Sequence, residues 1–363
     1  MKFKIERSVF LDGLKKVQNI VAPNASLLIV QNVMIKAQEN KLYLTTTNLD
    51  ISICTAIPCE VEVEGSTTLP VKILVNSVSK LVDGTINVEV DAENRAVITA
   101  GYAIFRITGM PCNDFPAIPE MVGSFEYIIP QLTFREMLRK TCYAASVDES
   151  RKSLIGVLSS FKDSKLTMVA TDGRRLALIN HELEFPKDAE KDVILPPKVV
   201  SELQRILTND GDVRIQIGVS QISFQLGETQ LYSKLLDHVY PDYTKVIPVN
   251  IPESVEVDRT MLLSAIERVS VMLKDNSVAV SLRFDSNELV ITSGKSLVGE
   301  ARDIVPIKYD GPNIEISFNP GYLIEPLKSI DEDVITICMS DGTTPAVIKC
   351  SIPFLYVIMP LRV

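Results

Sequence analysis

The sequence is poor in the residues on which most enzyme mechanisms and metal sites depend. Its 363 residues include no tryptophan, two histidines and six cysteines. The cysteines form no Cys-x-x-Cys pair, and neither His181 nor His238 has metal-ligand spacing to a cysteine or acidic cluster. We therefore expect reduced thiols of a cytoplasmic protein, no disulfide framework and no zinc site.

Sequence motifs for nucleotide binding and acyl transfer are missing as well. No Gly-x-Gly-x-x-Gly occurs, and no Gly-x-Ser-x-Gly elbow precedes a helix-like segment. Ser293-Gly-Lys-Ser296 resembles the end of a phosphate-binding loop, but the first glycine of that loop falls at Leu289. Acidic runs such as Asp148-Glu149 and Asp331-Glu332-Asp333 are typical of solvated loops. We expect no catalytic residue, no metal, no cofactor and no enzymatic activity.

Long apolar runs are also absent. Leu27–Val30 and Phe354–Met359 are far shorter than the roughly 18 residues that a membrane span needs. Charges at Glu6, Arg7 and Asp12 interrupt the N-terminal stretch, so we expect no signal peptide. The apolar fraction of 46% and charged fraction of 23% are typical of a soluble globular protein, and the length suits two or three domains.

The sequence does contain a unit of about 120 residues that occurs three times. The alternating segment Lys41–Asn48 recurs as Lys165–Asp172 at an offset of 124, and Glu288–Ser293 gives a third copy at an offset of 247. Each copy runs strand, amphipathic helix, strands, strand, second helix, strands. We predict an α+β fold of three similar domains, each with two helices and antiparallel sheets, with boundaries at 1–124, 125–250 and 251–363.

The net charge of −9, taken alone, argues against nucleic-acid binding, but its distribution does not. The predicted helices carry +7, which leaves −16 for the remainder; they span 8–20, 72–82, 132–145, 197–208, 260–274 and 320–330. Charges that only solvate helix faces would show both signs about equally, so this excess indicates a polyanion that the helices contact. The basic residues assigned to that surface are Lys15, Lys16, Lys72, Lys80, Arg135, Arg139, Lys140, Lys198 and Arg205.

Simple geometry is consistent with a ring of helices around DNA. Neighbouring helices pack roughly 9 Å apart, so the twelve helices of a dimer, standing side by side, leave a hole of roughly 24 Å. A DNA duplex just fits such a hole, whereas a trimer would leave about 42 Å. If a ring exists, the arithmetic favours a dimer.

Four sequence motifs point to one family when they are taken together. They are Val169–Ala177, Asp114–Pro116, Tyr240–Pro248 and the tail Tyr356–Val363. Over its full length the chain resembles the bacterial DNA polymerase III beta subunit family of replicative sliding clamps. The resemblance implies the DNA-clamp fold and a head-to-tail homodimeric ring around duplex DNA, without enzymatic activity. The implied partners are a clamp loader ATPase, DNA polymerase III and other polymerases or repair proteins, in the nucleoid region of the cytoplasm.

The same resemblance assigns residues to three surfaces. An apolar cleft between the second and third domains accepts a short peptide with glutamine and hydrophobic residues. Its implied lining is Leu154, Thr171, Gly173, Arg174, Arg175, Leu176, Pro241, Lys245, Val246, Pro345, Val357, Met359, Pro360, Leu361 and Arg362. Facing DNA, Arg151 and Lys152 join Lys72 and Lys198. At the dimer interface, Met272 and Leu273 meet Phe105 and Ile107.

The sequence departs from the family in or near the assigned sites, and Lys152 and Ser153 replace the aromatic residues expected next to Leu154. Arg174 stands where the family often has histidine, and Lys245, Asn24 and Pro197 stand where it has arginine. An alternative from another class is a peptide-binding scaffold of repeated β-rich domains that never meets DNA. The charge difference between the helices and the remainder argues against that alternative.

Overall fold

The structure, a computed structural model, describes residues 1–21, 27–118, 121, 124–273, 279–294 and 299–361. These residues form three α+β repeats, each with two helices and antiparallel strands, as the sequence predicts. The longest described helix has 12 residues, and none of the described helices combines the length and the apolar character that crossing a membrane requires.

The order of elements is the same in the three repeats, except that the first has one additional strand, β5, between its two helices. The first contains β1 (Lys2–Glu6), α1 (Arg7–Val17), β2 (Asn32–Gln38), β3 (Lys41–Thr47), β4 (Ile51–Pro58), β5 (Glu60–Val63), β6 (Gly65–Pro70), α2 (Val71–Lys80), β7 (Thr85–Val90), β8 (Arg95–Ala100) and β9 (Ala103–Thr108). The second contains β10 (Phe125–Pro130), α3 (Gln131–Thr141), β11 (Val157–Lys162), β12 (Lys165–Thr171), β13 (Arg175–Glu182), β14 (Lys191–Leu195), α4 (Pro197–Ile206), β15 (Asp212–Ile217), β16 (Gln221–Leu226) and β17 (Thr229–Lys234). The third contains β18 (Glu253–Asp258), α5 (Arg259–Ser270), β19 (Val280–Asp285), β20 (Glu288–Thr292), β21 (Arg302–Pro306), β22 (Ile314–Phe318), α6 (Pro320–Ser329), β23 (Val334–Met339), β24 (Ala346–Lys349) and β25 (Phe354–Ile358).

The sheets continue from one repeat into the next. One compact unit, residues 1–134 and 201–235, contains the sheets β5-β1-β7-β8-β9 and β10-β15-β16-β17-β4-β3-β2-β6. The other, residues 135–200 and 236–363, contains β14-β11-β12-β13-β25-β24-β23-β18 and β21-β20-β19-β22. The antiparallel pairs β4–β17 and β13–β25 therefore join successive repeats by backbone hydrogen bonds.

The hairpin turns repeat along with the strands. Glu39 and Asn40, between β2 and β3, have φ of 52° and 55°, and Asp163 and Ser164, between β11 and β12, have φ of 52° and 53°. Two consecutive residues with positive φ in a two-residue loop form the type I′ turn, whose twist matches that of paired strands. The same unusual backbone thus recurs at the offset of 124 found in the sequence.

The first helix of a repeat packs on the sheet through one apolar face. Phe10, Leu14 and Val17 are fully buried on α1, at the i, i+4, i+7 spacing that the sequence predicts. Gly13 lies at the closest approach, because a Cβ there would stand 2.8 Å from the Ile57 side chain on β4. The helix is therefore held against the sheet, and its opposite face is left for other contacts.

Candidate functional site

The six helices are basic and the rest of the chain is acidic. Within their structural bounds they contain thirteen Lys and Arg against five Asp and Glu, a net +8 that leaves −17 for the remainder. The predicted value of +7 differs because α1 and α5 begin at Arg7 and Arg259, while Lys274 lies outside the described residues. The predicted charge asymmetry is present.

Most of the predicted DNA-facing residues have accessible side chains. Those classed as exposed are Lys15, Lys16, Lys72, Lys80, Arg151 and Lys152, and those half-buried are Arg135 and Lys198. Arg151 also donates from its guanidinium to the Asp172 carbonyl oxygen at 2.9 Å, so it supports a neighbouring turn as well. The first four of these residues belong to one compact unit and the others to the second, and together they are called the basic helix-and-loop residues.

Lys140 was predicted to face DNA, and the structure contradicts this. Its side chain is 4% exposed, and Nζ lies 2.9 Å from Glu136 Oε2 and 3.1 Å from Asp331 Oδ2. Arg139 forms ion pairs with the same two carboxylates. This four-residue ionic cluster joins α3 of the second repeat to the loop after α6 of the third, so Lys140 is buried in it and Arg139, which is half-buried, is already paired with carboxylates. Asp331, predicted to be a solvated loop charge, is a partner in it.

The ionic cluster predicts an acid-sensitive contribution to stability. Burial raises the pKa of Asp331 and of Glu136, but hydrogen bonds from Lys140 and Arg139 outweigh it and hold both below their ordinary values. Carboxylates with lowered folded pKa stabilise the fold above about pH 4 and lose that contribution as pH falls further. Asp331→Asn should lower the free energy of unfolding at pH 7 by about 1 kcal/mol or less, because the Asp331 side chain is 66% exposed and solvent screens its pairing with the buried Lys140.

Urea unfolding at pH 7 and at pH 3.5 measures this effect. The difference between wild type and Asp331→Asn should shrink at the lower pH, because the wild-type carboxylate is then partly protonated. Lys140→Met, which replaces the buried charge with an apolar chain of similar length, serves as the control for packing. An equal difference at both pH values would contradict the ionic explanation.

Arg205 was also predicted to face DNA, and its exposed side chain is instead engaged by protein. Nη1 donates to the Lys15 carbonyl oxygen at 3.0 Å, Nη2 contacts the Lys16 carbonyl oxygen, and Nε pairs with Glu202 at 2.9 Å. A cation at the last carbonyls of a helix satisfies acceptors that the helix itself leaves open. Arg205 thus caps α1 and joins the first two repeats.

The predicted dimer residues lie at or beside sheet edges. β9 is the last strand of its sheet, where Ile107 is buried, Phe105 is half-buried and Ile104 is 54% exposed. Met272 and Leu273 follow α5 and are half-buried. In the other compact unit, β21 is likewise an edge strand and presents Ile304, which is 43% exposed.

The predicted cleft residues gather where β13 meets β25. Leu176 and Val357 face each other across this pair and are buried, and the Met359 amide donates to the Arg174 carbonyl oxygen at 2.9 Å. Beside them Thr171 is buried, Leu154, Pro345, Pro360 and Leu361 are half-buried, and Gly173, Arg174 and Met359 are exposed. Arg362 lies outside the described residues. A buried apolar floor with an exposed rim is suited to an extended peptide.

The linker between the second and third repeats packs beside this junction. Tyr240, Tyr243 and Ile247 rest on an apolar cluster that includes Leu176 and Val357. The predicted lining residues of the linker, Pro241, Lys245 and Val246, are exposed. Lys245 pairs with Asp242 at 3.2 Å, so its ammonium lies at the rim of the linker turn.

Arg175 is placed differently from the rest of the predicted lining. Its side chain is 8% exposed, and its guanidinium contacts Asp172, Glu325 and Tyr143 rather than solvent. Sequence reasoning missed these three partners. The sequence did indicate a turn at Asp172, because Asp before Gly is typical of turns. Glu325 lies 150 positions from Arg175, and no sequence pattern indicates that the two residues meet.

The chemistry of an enzyme site is not visible in the part of the chain that the structure describes. The described residues contain no group of three or more His, Cys, Asp and Glu that could hold a metal ion. None of the six cysteines forms a disulfide, and burial raises the pKa of Cys59 and of Cys350 to about 11, far from that of a reactive thiol.

Three two-helix repeats joined by continuous sheets, with a basic helix surface on an acidic chain, define a DNA clamp. The N-terminal, central and C-terminal domains of the DNA polymerase III beta subunit match residues 1–119, 128–242 and 244–362. The chain belongs to this family, the beta sliding clamps. It is a replicative sliding clamp, a processivity factor without enzymatic activity of its own.

Relatives and solved structures agree with this assignment over the whole chain. The Beta sliding clamp of Chlamydia trachomatis is 31% identical over 362 residues, covering 100% of this chain and 87% of the relative. That of Pseudomonas aeruginosa is 31% identical over 367 residues and fully covered on both sides. A sliding clamp structure from P. aeruginosa bound to griselimycin superposes with a TM-score of 0.95 at 30% identity, covering 100% of both chains. A sliding clamp structure from Bacillus subtilis superposes with a TM-score of 0.95 at 28% identity, covering 100% of this chain and 99% of the other.

Proposed function

We propose that two copies of the chain close head to tail into a ring that encircles duplex DNA and tethers polymerases and repair proteins. A clamp loader ATPase opens and closes this ring, and the site of action is the cytoplasmic nucleoid. We propose domain boundaries at residues 124 and 250, in the linkers between the repeats.

The observation that carries the ring is the pattern of strand pairing between repeats. In the first and second repeats, β4 and β13 are equivalent, and each pairs with the last strand of the following repeat, β17 or β25. The equivalent strand of the third repeat is β21, and the last strand of the first repeat is β9; both are sheet edges in the described chain. Pairing β21 of one copy with β9 of another repeats the junction a third time.

This pairing fixes the symmetry of the assembly. β21 and β9 are different edges, so the contact between copies is head to tail, and two copies close a ring of six repeats in which each β21 pairs with a β9. Ile104 on β9 and Ile304 on β21 would be covered by the contact, together with the side chains of Met272 and Leu273.

The basic helix-and-loop residues support encirclement of DNA. Lysine and arginine on helices attract phosphates without reading bases, and the acidic remainder repels DNA from other faces. A protein that must slide has to hold DNA by topology, because tight phosphate contacts would stop its motion. The ring should therefore load with its loader onto nicked circular plasmid and run off when that plasmid is cut. Retention after cutting, or failure to associate with circles, would contradict the ring.

The cleft beside β13 and β25 supports peptide docking by partners. Leu176 and Val357 provide a buried apolar floor, and the exposed Met359 and Arg174 stand at its rim. Such a site binds an extended segment by apolar anchors, while backbone and side-chain polar groups fix its direction. The family resemblance implies a short peptide that contains glutamine and hydrophobic residues.

Met359→Asp is expected to weaken peptide binding at least tenfold. The substitution places a carboxylate at an apolar rim, where a peptide would have to desolvate it. Fluorescence polarisation with a labelled Gln-Leu-Ala-Leu-Phe peptide measures the change. Val334→Asp, an equally exposed apolar position on β23, is the matched control and should bind the peptide as wild type does. Equal affinity of both variants would place the peptide site elsewhere.

A further inference from the structure

We infer that Arg175 is a positioning residue of the partner cleft, which fixes the shape of the cleft before any peptide binds. The inference rests on the proposed function of the cleft. Arg175 is the first residue of β13, directly before Leu176. Because neighbouring side chains on a strand point to opposite faces, Leu176 forms the apolar floor while Arg175 points away from it.

The Arg175 guanidinium joins three separate elements. Nε lies 3.1 Å from Asp172 Oδ2, in the turn before β13. Its two terminal nitrogens contact the Glu325 carboxylate on α6 and the carbonyl oxygen of Tyr143, after α3. The guanidinium carbon stands 4.3 Å from the centre of the Tyr322 ring on α6, a cation–π distance. One side chain thus ties the second repeat to helix α6 of the third.

The turn held in this way forms one side of the cleft. Asp172 Oδ1 accepts from the amides of Arg174 and Arg175 at 2.8 and 3.0 Å, and the Thr171 hydroxyl donates to the Arg175 carbonyl oxygen at 2.6 Å. The Arg174 carbonyl oxygen then accepts from the Met359 amide at 2.9 Å. A displacement of Asp172 is therefore passed to Arg174 and on to Met359, the opposite rim.

Only arginine can make this set of contacts. Its planar fork presents donors in three directions and stacks on an aromatic ring, whereas a lysine ammonium is a single point of charge. A cleft whose walls are already in place loses less conformational freedom when a peptide binds, and it therefore binds more tightly.

The test compares Arg175→Ala and Arg175→Lys with wild type, using the labelled Gln-Leu-Ala-Leu-Phe peptide and the full-length protein. We expect the affinity for the peptide to fall at least tenfold in Arg175→Ala and by a smaller factor in Arg175→Lys, which keeps the positive charge. If Arg175→Ala does not fold, Arg175→Lys alone provides the test. Amide hydrogen exchange of segments 171–175 and 358–361 should be faster in both variants without peptide.

The matched control is Arg259→Ala. The Arg259 guanidinium donates to the carbonyl oxygens of Leu327 and Glu332, at 3.0 and 2.8 Å, near the C-terminal end of α6. Its loss should lower the melting temperature but leave peptide affinity and exchange at 171–175 unchanged. The inference is overturned if Arg175→Lys exchanges and binds as wild type does, or if Arg259→Ala weakens binding as much. If wild type fails to bind the peptide, the proposed cleft function fails, and exchange alone decides the role of Arg175.

Discussion

Ile104→Lys on β9 is expected to convert the dimer into monomers at micromolar concentration. A lysine in the middle of a strand edge would have to be buried when β21 of a second copy pairs with it, and edge charges are a known means of preventing such pairing. Because Ile104 is 54% exposed in the single chain, the fold itself should be little affected. Sedimentation equilibrium gives the mass, and the variant should no longer be retained on circular DNA.

Mixing two variants tests the head-to-tail arrangement. Ile304→Asp on β21 should be monomeric for the same reason, yet an equimolar mixture with Ile104→Lys should form dimers again. One interface of the mixed dimer then joins unaltered edges, and the other places lysine and aspartate on facing strands. A head-to-head dimer would bury β9 against β9, and mixing would not restore it.

Lys72→Glu combined with Lys80→Glu is expected to reduce the amount of clamp retained on nicked circular plasmid about tenfold or more. Both residues are exposed on α2, and reversing two charges replaces phosphate attraction by repulsion. The deficit should be largest at low salt and shrink as added ions screen the charges. Retention is measured by gel filtration after loading at 50 and 200 mM salt.

The control for this prediction keeps the charge change and moves it off the helices. Lys36→Glu with Lys187→Glu alters two exposed lysines that lie on β2 and in the loop before β14. This pair should load as wild type does if the helices face DNA. An equal loss from both pairs would mean that net charge alone matters and that α2 has no special role.

Most of the fold could be predicted from the sequence because the same unit occurs in it three times. The offset between Lys41 and Lys165 is the offset between two equivalent strands, and the type I′ turns before them recur with it. A single copy of this alternating pattern is compatible with many sheets, whereas three linked copies restrict the choice to a repeated domain. The helix charge could be counted for the same reason.

The side-chain partners could not be predicted, because they depend on distant parts of the chain. Lys140 carries the same charge as Lys72, but it is buried and pairs with Glu136 one helical turn away and with Asp331, 191 positions away. Arg175 was predicted to line the cleft with Leu176, although strand alternation allows only one of two neighbours to face it. The alternation was a usable signal, and so was the i, i+4 spacing of Glu136 and Lys140, whereas the distant partner Asp331 had none in the sequence.

The junction between β4 and β17 also has a consequence for how the chain is made. Thr55 on β4 meets Thr229 on β17, 174 positions later, with their hydroxyls 2.9 Å apart. At a synthesis rate of about 5–20 residues per second, β4 waits on the order of 10–35 seconds for its neighbour. During that time the edge of β4 that later pairs with β17 has no partner strand, and β4 contains the apolar residues Ile51, Ile53 and Ile57. The repeating unit is therefore not the folding unit, and a first repeat released alone should associate with itself through β4.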